Sequence, residues 1–221
     1  MHTFTKIFSL AVLVSLIILQ GCENERPTEP HTDPIDFYPL ATGNTWIGQL
    51  DGLTVGGHND SSTVSGRINR RIIGQTTHSQ GFAMWTMERA DSLVFWSHDT
   101  LYTFIDTTYV YFFVNDSEIV VYDDTISIEH EILFKLPLTV GETWTPFTGD
   151  PTVTREVVSL NDSIIVPAGS FTECLLTRDI DSMSPKVWNY YFAPDIGRAF
   201  MTVDSGPNSH ASERLMNVVI N

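Results

Sequence analysis

From Phe37 onward apolar and polar residues alternate, and helical spacing is nearly absent. A period of two puts successive side chains on opposite faces of a strand. The pattern predicts strands over residues 45–50, 63–73, 82–89, 93–98, 101–105, 109–114, 118–122, 126–136, 153–160, 163–166, 171–178, 187–192, 199–203 and 213–220. The segment 126–136 also fits a helix face through Ile128, Ile132, Leu133 and Leu136; its isoleucines and the nearby Pro137 favour a strand. Turn chemistry falls between the strands. Asn-Asp-Ser occurs at Asn59, Asn115 and Asn161, where Asx side chains favour turns, and Val166-Pro167-Ala168-Gly169-Ser170 and Ala193-Pro194-Asp195-Ile196-Gly197 read as hairpin joints. Many short strands with regular turns predict an all-β fold: a strongly curved antiparallel sheet or incomplete β-barrel of hairpin-connected strands.

One motif occurs twice. Pro39-Leu40 to Gly43-Asn44-Thr45-Trp46 and Pro137-Leu138 to Gly141-Glu142-Thr143-Trp144 share the form P-L-x-x-G-x-T-W. It reads as a glycine turn that enters a strand anchored by a buried Trp. The flanks differ, so the expectation is a reused corner rather than a duplicated domain.

The N-terminus changes the picture. Lys6 precedes an apolar run from Ile7 to Leu19, too short for a permanent span of about 20 residues. A basic flank, a short apolar stretch and small residues at its end mark a secretory signal. Leu19-Gln20-Gly21-Cys22 resembles the bacterial lipobox, which implies cleavage after residue 21 and acylation of Cys22. Three acyl chains, as that resemblance implies, hold a membrane stably where one does not. Glu23 follows in place of Asp, so the implied destination is the outer membrane, on its periplasmic face or at the cell surface. Residues 22–36, with Pro27, Pro30 and Pro34 among polar neighbours, read as a lipidated tether, and 37–221 as a single β domain. Once Cys22 is acylated, Cys174 has no intramolecular partner; its apolar neighbours make it a buried small hydrophobe.

The remaining motifs look like a set of bacterial envelope lipoproteins. The resemblance rests on Tyr38-Pro39-Leu40 with Asn44-Thr45-Trp46, on residues 136–144, on Val166-Pro167-Ala168-Gly169-Ser170-Phe171 with Cys174, and on Tyr190-Tyr191-Phe192-Ala193-Pro194 with Ile196-Gly197. It implies a strongly curved sheet, distantly like lipoprotein carriers with an open half-barrel. It implies no catalytic residues.

Composition sets bounds on partners. Acids outnumber bases 27 to 12, so the chain carries a net charge of -15 and lacks the Lys and Arg clusters that phosphate backbones require. Nucleic acid is excluded as a general partner, and the acid excess reads as a soluble, self-repelling surface. No nucleophile elbow, P-loop, dinucleotide fingerprint or C-x-x-C is present. His130-Glu131 starts like a zinc helix, but Phe134 stands where the second His is needed; His130 reads as a packed core histidine. Glu129 and Glu131 share a strand face, and the plainer reading is a solvated face. His98-Asp99, His58-Asn59-Asp60 and Asp179-Ile180-Asp181 reproduce no calcium loop and read as solvated turns. No cofactor and no metal are implied.

The informative patch is aromatic. Between Phe82 and Tyr122 lie 11 of the chain's 25 aromatics, on both faces of their strands. Either something covers the outer face, or the sheet curls around an apolar interior. The plain reading is a thick core. The sharper one is a pocket or docking face built from Trp85, Phe95, Trp96, Tyr102, Phe104, Tyr111 and Phe113. Three functions follow in order: a lipid-anchored, non-catalytic binding or structural protein with an envelope partner; a carrier of an apolar ligand in the curved sheet; and an envelope hydrolase, for which no nucleophile–base pair is legible.

Overall fold

The computed structural model describes residues 34–55, 61–97, 99–206 and 209–221. A short 3-10 turn (Pro34–Phe37) leads into twelve strands: β1 (Thr45–Val55), β2 (Ser61–Thr77), β3 (Ala83–Ser97), β4 (Thr100–Val114), β5 (Glu118–Tyr122), β6 (Glu131–Lys135), β7 (Thr143–Trp144), β8 (Val153–Val166), β9 (Gly169–Asp181), β10 (Val187–Ala193), β11 (Gly197–Asp204) and β12 (Ser209–Val219). All pair antiparallel in one sheet of order β6-β5-β4-β3-β2-β1-β12-β11-β10-β9-β8-β7. Each half is a six-stranded meander, and the halves join through β1 and β12.

The sheet is rolled. Every strand sends at least one side chain into a single buried cluster, from Trp46, Ile72, Met87, Phe112, Ile119 and Phe134 in the first half to Trp144, Val157, Leu175, Phe192, Ala199 and Leu215 in the second. Twelve strands can share one interior only if the sheet curls onto its own inner face. Phe37, Tyr38 and Leu40 enter that interior ahead of β1, and the Tyr38 ring stacks on Phe112 at 4.9 Å. Every strand and core residue described lies within the compact unit His31–Asn221, so this unit carries what it needs to fold alone.

The roll is not closed by a continuous ladder. β6 meets the chain after β7 through one bridge, Glu131 to Phe147, flanked by Ile132 N–H to Pro146 O (2.7 Å) and Thr148 N–H to His130 O (3.0 Å). Two side chains finish the seam from the far edge. The Trp144 indole donates to Ile132 O at 3.0 Å, and the Arg155 guanidinium donates to the carbonyls of Ile132 and Leu133, each at 3.3 Å.

The repeated motif marks equivalent places in the two halves. Gly43 and Gly141 sit at φ +96° and +86°, where a Cβ is strained, and donate to Ile72 O and Val157 O, each at 2.8 Å. Ile72 and Val157 return the bond to Asn44 O and Glu142 O. Both Trp residues are buried, and each lies opposite an Arg: Trp46 opposite Arg70, Trp144 opposite Arg155. The correspondence therefore runs beyond a reused corner into the register of the strands that follow.

The structure revises the expected strand pattern. Residues 82–89 with 93–98, 101–105 with 109–114, and 153–160 with 163–166 are three continuous strands rather than six. Polar residues within them, such as Asp91 and Asp106, looked like breaks but pair directly across β3 and β4. Asn161 is no turn: it lies in β8, where register shifts around Ser159 and Asp162 absorb extra residues as bulges. Asn115 is one, its Oδ1 accepting from Ser117 and Glu118. Asn59 lies outside the described residues. The segment 126–136 is a strand only over β6. Residues 34–36 of the expected tether belong to the 3-10 turn; the signal, Cys22 and the rest of the tether lie outside the described residues.

Candidate functional site

The β3–β4 register runs without a shift, so it assigns every side chain of this hairpin to a face. Met87 and Phe112 are buried in the common interior; Trp85, directly opposite Phe112, packs there too. Two-residue periodicity then puts Arg89, Asp91, Leu93 and Phe95 of β3 on the inner face, with Thr108, Asp106, Phe104 and Tyr102 of β4 opposite them. The other face holds Trp96, Tyr111 and Phe113. The seven aromatics singled out in the sequence are thus split: Trp85, Phe95, Tyr102 and Phe104 lie inside, and Trp96, Tyr111 and Phe113 outside.

The outer three part again. Tyr111 and Phe113 pack with Phe82, Met84, Val120 and Tyr122 in a second cluster. Residues 123–130 fold over it. The His78 ring stacks on Phe82 at 4.4 Å, its Nε2 meets Ser127 O at 3.0 Å, and its Nδ1 accepts from the Gln80 N–H. With Nδ1 accepting, Nε2 is the ring nitrogen placed to donate to Ser127 O. Among the described histidines the buried one is His78. His130 is only partly buried, with Nδ1 near Ile128 O and its ring 5.3 Å from Tyr122. At the core end of the hairpin residues 123–130 lie against the outer cluster and the sheet curls around the inner one.

Beyond the clusters β4 stays exposed from Thr100 to Tyr109. Its pairing with β5 begins only at Tyr111, so this stretch has β3 as its sole strand neighbour. Phe95 and Phe104 are exposed to 38% and 45% inside, and Trp96 and Ile105 to 47% and 77% outside. A cavity of about 290 Å³ lies on the inner side, lined by Phe95, Val64, Gly52, Ala211 and Val203 among others.

A belt of charge separates this apolar extension from the core. Arg70 on β2 reaches past β1 to Glu213 on β12, donating from two nitrogens to both carboxylate oxygens; Arg198 adds a contact at 3.2 Å. Arg155 on β8 does the equivalent past β7. It donates twice to Asp179 at 2.6 Å and meets Glu131 on β6 at 2.8 Å, with its guanidinium carbon 5.3 Å from the Tyr190 ring. Arg89 pairs with Asp91 at 2.8–2.9 Å. Burial pushes the Glu213 carboxyl up, but Arg70 and Arg198 outweigh it and hold it at about 2. Burial also pushes Asp179 up, against the pull of Arg155, and lifts the Tyr190 hydroxyl to about 12. Buried charges survive only when paired this fully.

None of these belt residues except Glu131 and Asp179 drew attention in the sequence, and those two for other reasons. Glu131 is no solvated partner of Glu129, and Asp179 no turn residue: each belongs to Arg155. A signal existed. An Arg two residues before the Ile or Val that returns the corner's hydrogen bond, Arg70-Arg71-Ile72 and Arg155-Glu156-Val157, follows each repeated motif. Above the core the belt rims a lumen of about 240 Å³, floored by Tyr38, Phe112 and Phe192. Cys174 is fully buried and its thiol is pushed up to about 11 by burial. Of the expected turns, Asp181 accepts from Met183 and Ser184, while His98 and His58-Asn59-Asp60 lie outside the described residues. Among the described residues no group of three His, Cys, Asp or Glu side chains could hold a metal ion.

Fold and belt define an all-β protein made of one rolled antiparallel sheet with an accessible, charge-rimmed lumen. No protein-family model matches the chain, and neither does any curated protein. Solved structures similar to it include a β-barrel-like protein of a domain of unknown function from Brucella abortus (12% identity, TM-score 0.40, 81% of this chain and 98% of that one). A candidate exported protein with a YmcC-like fold from Bacteroides fragilis (12%, 0.38, 81% and 97%) and a candidate lipoprotein from Parabacteroides distasonis (11%, 0.34, 83% and 98%) are similar to the same extent.

Proposed function

We propose that this protein is a lipid-anchored, non-catalytic binding protein of the bacterial envelope that holds an apolar ligand on the inner face of its rolled sheet. Leu19-Gln20-Gly21-Cys22 supports the anchor at Cys22 and, with Glu23, the outer membrane as its address. One observation carries the binding role. The inner row of β3 and β4 that packs into the core at Trp85, Met87 and Phe112 resumes past the belt as exposed Phe95, Tyr102 and Phe104, and Phe95 lines a concave cavity with Val64, Gly52, Ala211 and Val203. Concave apolar surface with a few fixed polar groups is what small-molecule sites are made of.

Titration of the 31–221 unit with a fluorescent fatty probe tests this. Binding saturates in the wild type and weakens at least tenfold in Phe95→Asp and Phe104→Asp, while Trp96→Ala, on the opposite face, leaves it unchanged. Absence of saturable binding contradicts it.

The outer row supports a second reading. Trp96, Leu101, Ile105 and Tyr109 are exposed where only β3 flanks β4, a surface suited to an envelope protein partner. Crosslinking in the native host from position 105, with and without Ile105→Asp, tests that contact.

A further inference from the structure

The lumen above the core is lined by both signs of charge, and the signs are segregated. Arg89 on β3, Arg70 on β2 and Arg198 on β11 occupy one arc. Their acidic partners there are Asp91 and Glu213, which leaves one guanidinium in excess. Arg198, partly exposed, makes its one described hydrogen bond to a Glu213 that Arg70 already grips from two nitrogens. The opposite arc carries Asp123, just past β5, and Glu131 on β6. Arg155 beside them pairs with both Asp179 and Glu131, so with Asp123 three carboxylates stand against one guanidinium and carboxylates are in excess. Phe147, bridged to Glu131, presents its ring on the acidic side, and aromatic faces attract cations.

A ligand of one charge meets attraction from one arc and repulsion from the other, whereas a dipolar one satisfies both. The geometry points to the lumen as a binding site for a zwitterionic headgroup: its anionic end on Arg198 and Arg89, its cationic end on Asp123 and Glu131. This inference rests on the apolar ligand proposed above and names its class, a single-chain zwitterionic amphiphile. Scale supports the pairing. The inner face of β3 from Arg89 to Phe95 runs six residues, on the order of 20 Å at ~3.3 Å per residue, the reach of a long acyl chain.

Displacement of the fatty probe from the 31–221 unit by three lipids of one chain length tests it: a lysophosphatidylethanolamine, a lysophosphatidylglycerol and a monoacylglycerol, all below their micelle concentrations. The zwitterion displaces the probe at least tenfold more tightly than the other two. Arg198→Gln, which leaves the Arg70–Glu213 pair in place, and Asp123→Asn each abolish that preference without changing the affinity for the monoacylglycerol. Equal affinity for the three lipids overturns the headgroup site and leaves the apolar site standing, as does tighter binding of the anionic lipid. A variant that weakens all three alike overturns it too, by making the belt purely structural. Failure of all three to displace the probe overturns the apolar reading itself.

Discussion

Arg155 on β8 and Asp179 on β9 stand directly opposite each other in register and meet through two N–H···O bonds of 2.6 Å in an almost fully buried site. The same guanidinium reaches Glu131 and two carbonyls of β6, so one side chain satisfies an internal acid and part of a strand edge that lacks a ladder. β1 and β12 occupy the equivalent junction of the other half with ten register pairs. The seam at β6 is the weak side of the roll, and Arg155 holds it.

Replacing Arg155 by Met strands a buried carboxylate and is expected to cost about 3–5 kcal/mol of stability. The double change Arg155→Met with Asp179→Leu recovers part of that loss, because Asp179 is then no longer stranded, although the partly exposed Glu131 still loses its ion pair. It does not restore the donors to Ile132 and Leu133. Amide exchange in β6 should therefore stay faster in the double variant, while β1 and β12 keep wild-type protection. Equal protection in β6 and β1 contradicts the role of Arg155 at the seam.

Glu213 gives a signed pH dependence. Its carboxyl titrates at about 2 in the folded chain against an ordinary 4.5. A depressed carboxylate contributes stability above its unfolded value and loses it as pH falls toward the folded one. The difference amounts to about 3 kcal/mol, lost between pH 4.5 and 2. Asp179, whose pKa is raised by burial, acts in the opposite sense. Denaturant unfolding of wild type and Glu213→Gln across pH 6 to 2.5 reads this out. The variant is less stable at pH 6, because Arg70 loses its partner, and its acid limb is flatter. Parallel curves contradict the assignment.

Gly66 marks where the sheet is tightest. A Cβ there meets the Ser92 carbonyl oxygen at 2.2 Å and the Leu93 Cα at 2.7 Å, both backbone atoms of the neighbouring strand. Gly66→Ala should destabilise by about 1–3 kcal/mol through forced separation of β2 from β3. At Gly74 a Cβ meets nothing within 4 Å, but φ is +150°, so Gly74→Ala is strained by its backbone alone. Amide exchange separates the two causes: Gly66→Ala also loosens amides of β3 near Leu93, and Gly74→Ala does not. Unchanged exchange near Leu93 in Gly66→Ala contradicts the close approach.

Strand-forming alternation was legible, as were both hairpin joints: Val166 pairs Gly169 and Ala193 pairs Gly197 as their turn residues imply. Continuity was not. Asp91, Asp106 and Asn161 carry turn-like chemistry, yet two of them stand where a rolled sheet needs polar side chains between two apolar zones, and a local pattern cannot see the opposite wall. The belt was missed for the same reason. Arg70 and Glu213 are 143 residues apart, and only the closure of β1 on β12 brings them together. Of the aromatic patch, the sequence showed the residues but not their faces. Phe95 and Trp96 are neighbours in the chain and lie on opposite sides of the sheet.

That separation of faces allows the central claim, that a ligand lies inside the roll, to be tested directly. Trp188 of β10 lies on the inner face, opposite Asp179 and Val203, and Trp96 lies on the outer. Quenching of tryptophan fluorescence in the 31–221 unit by a brominated fatty acid, measured for wild type, Trp188→Phe and Trp96→Phe, reports which side the chain occupies. Saturable quenching that falls markedly in Trp188→Phe and persists in Trp96→Phe is the predicted result. Quenching that vanishes with Trp96 and survives the loss of Trp188 would place the ligand outside and contradict the account.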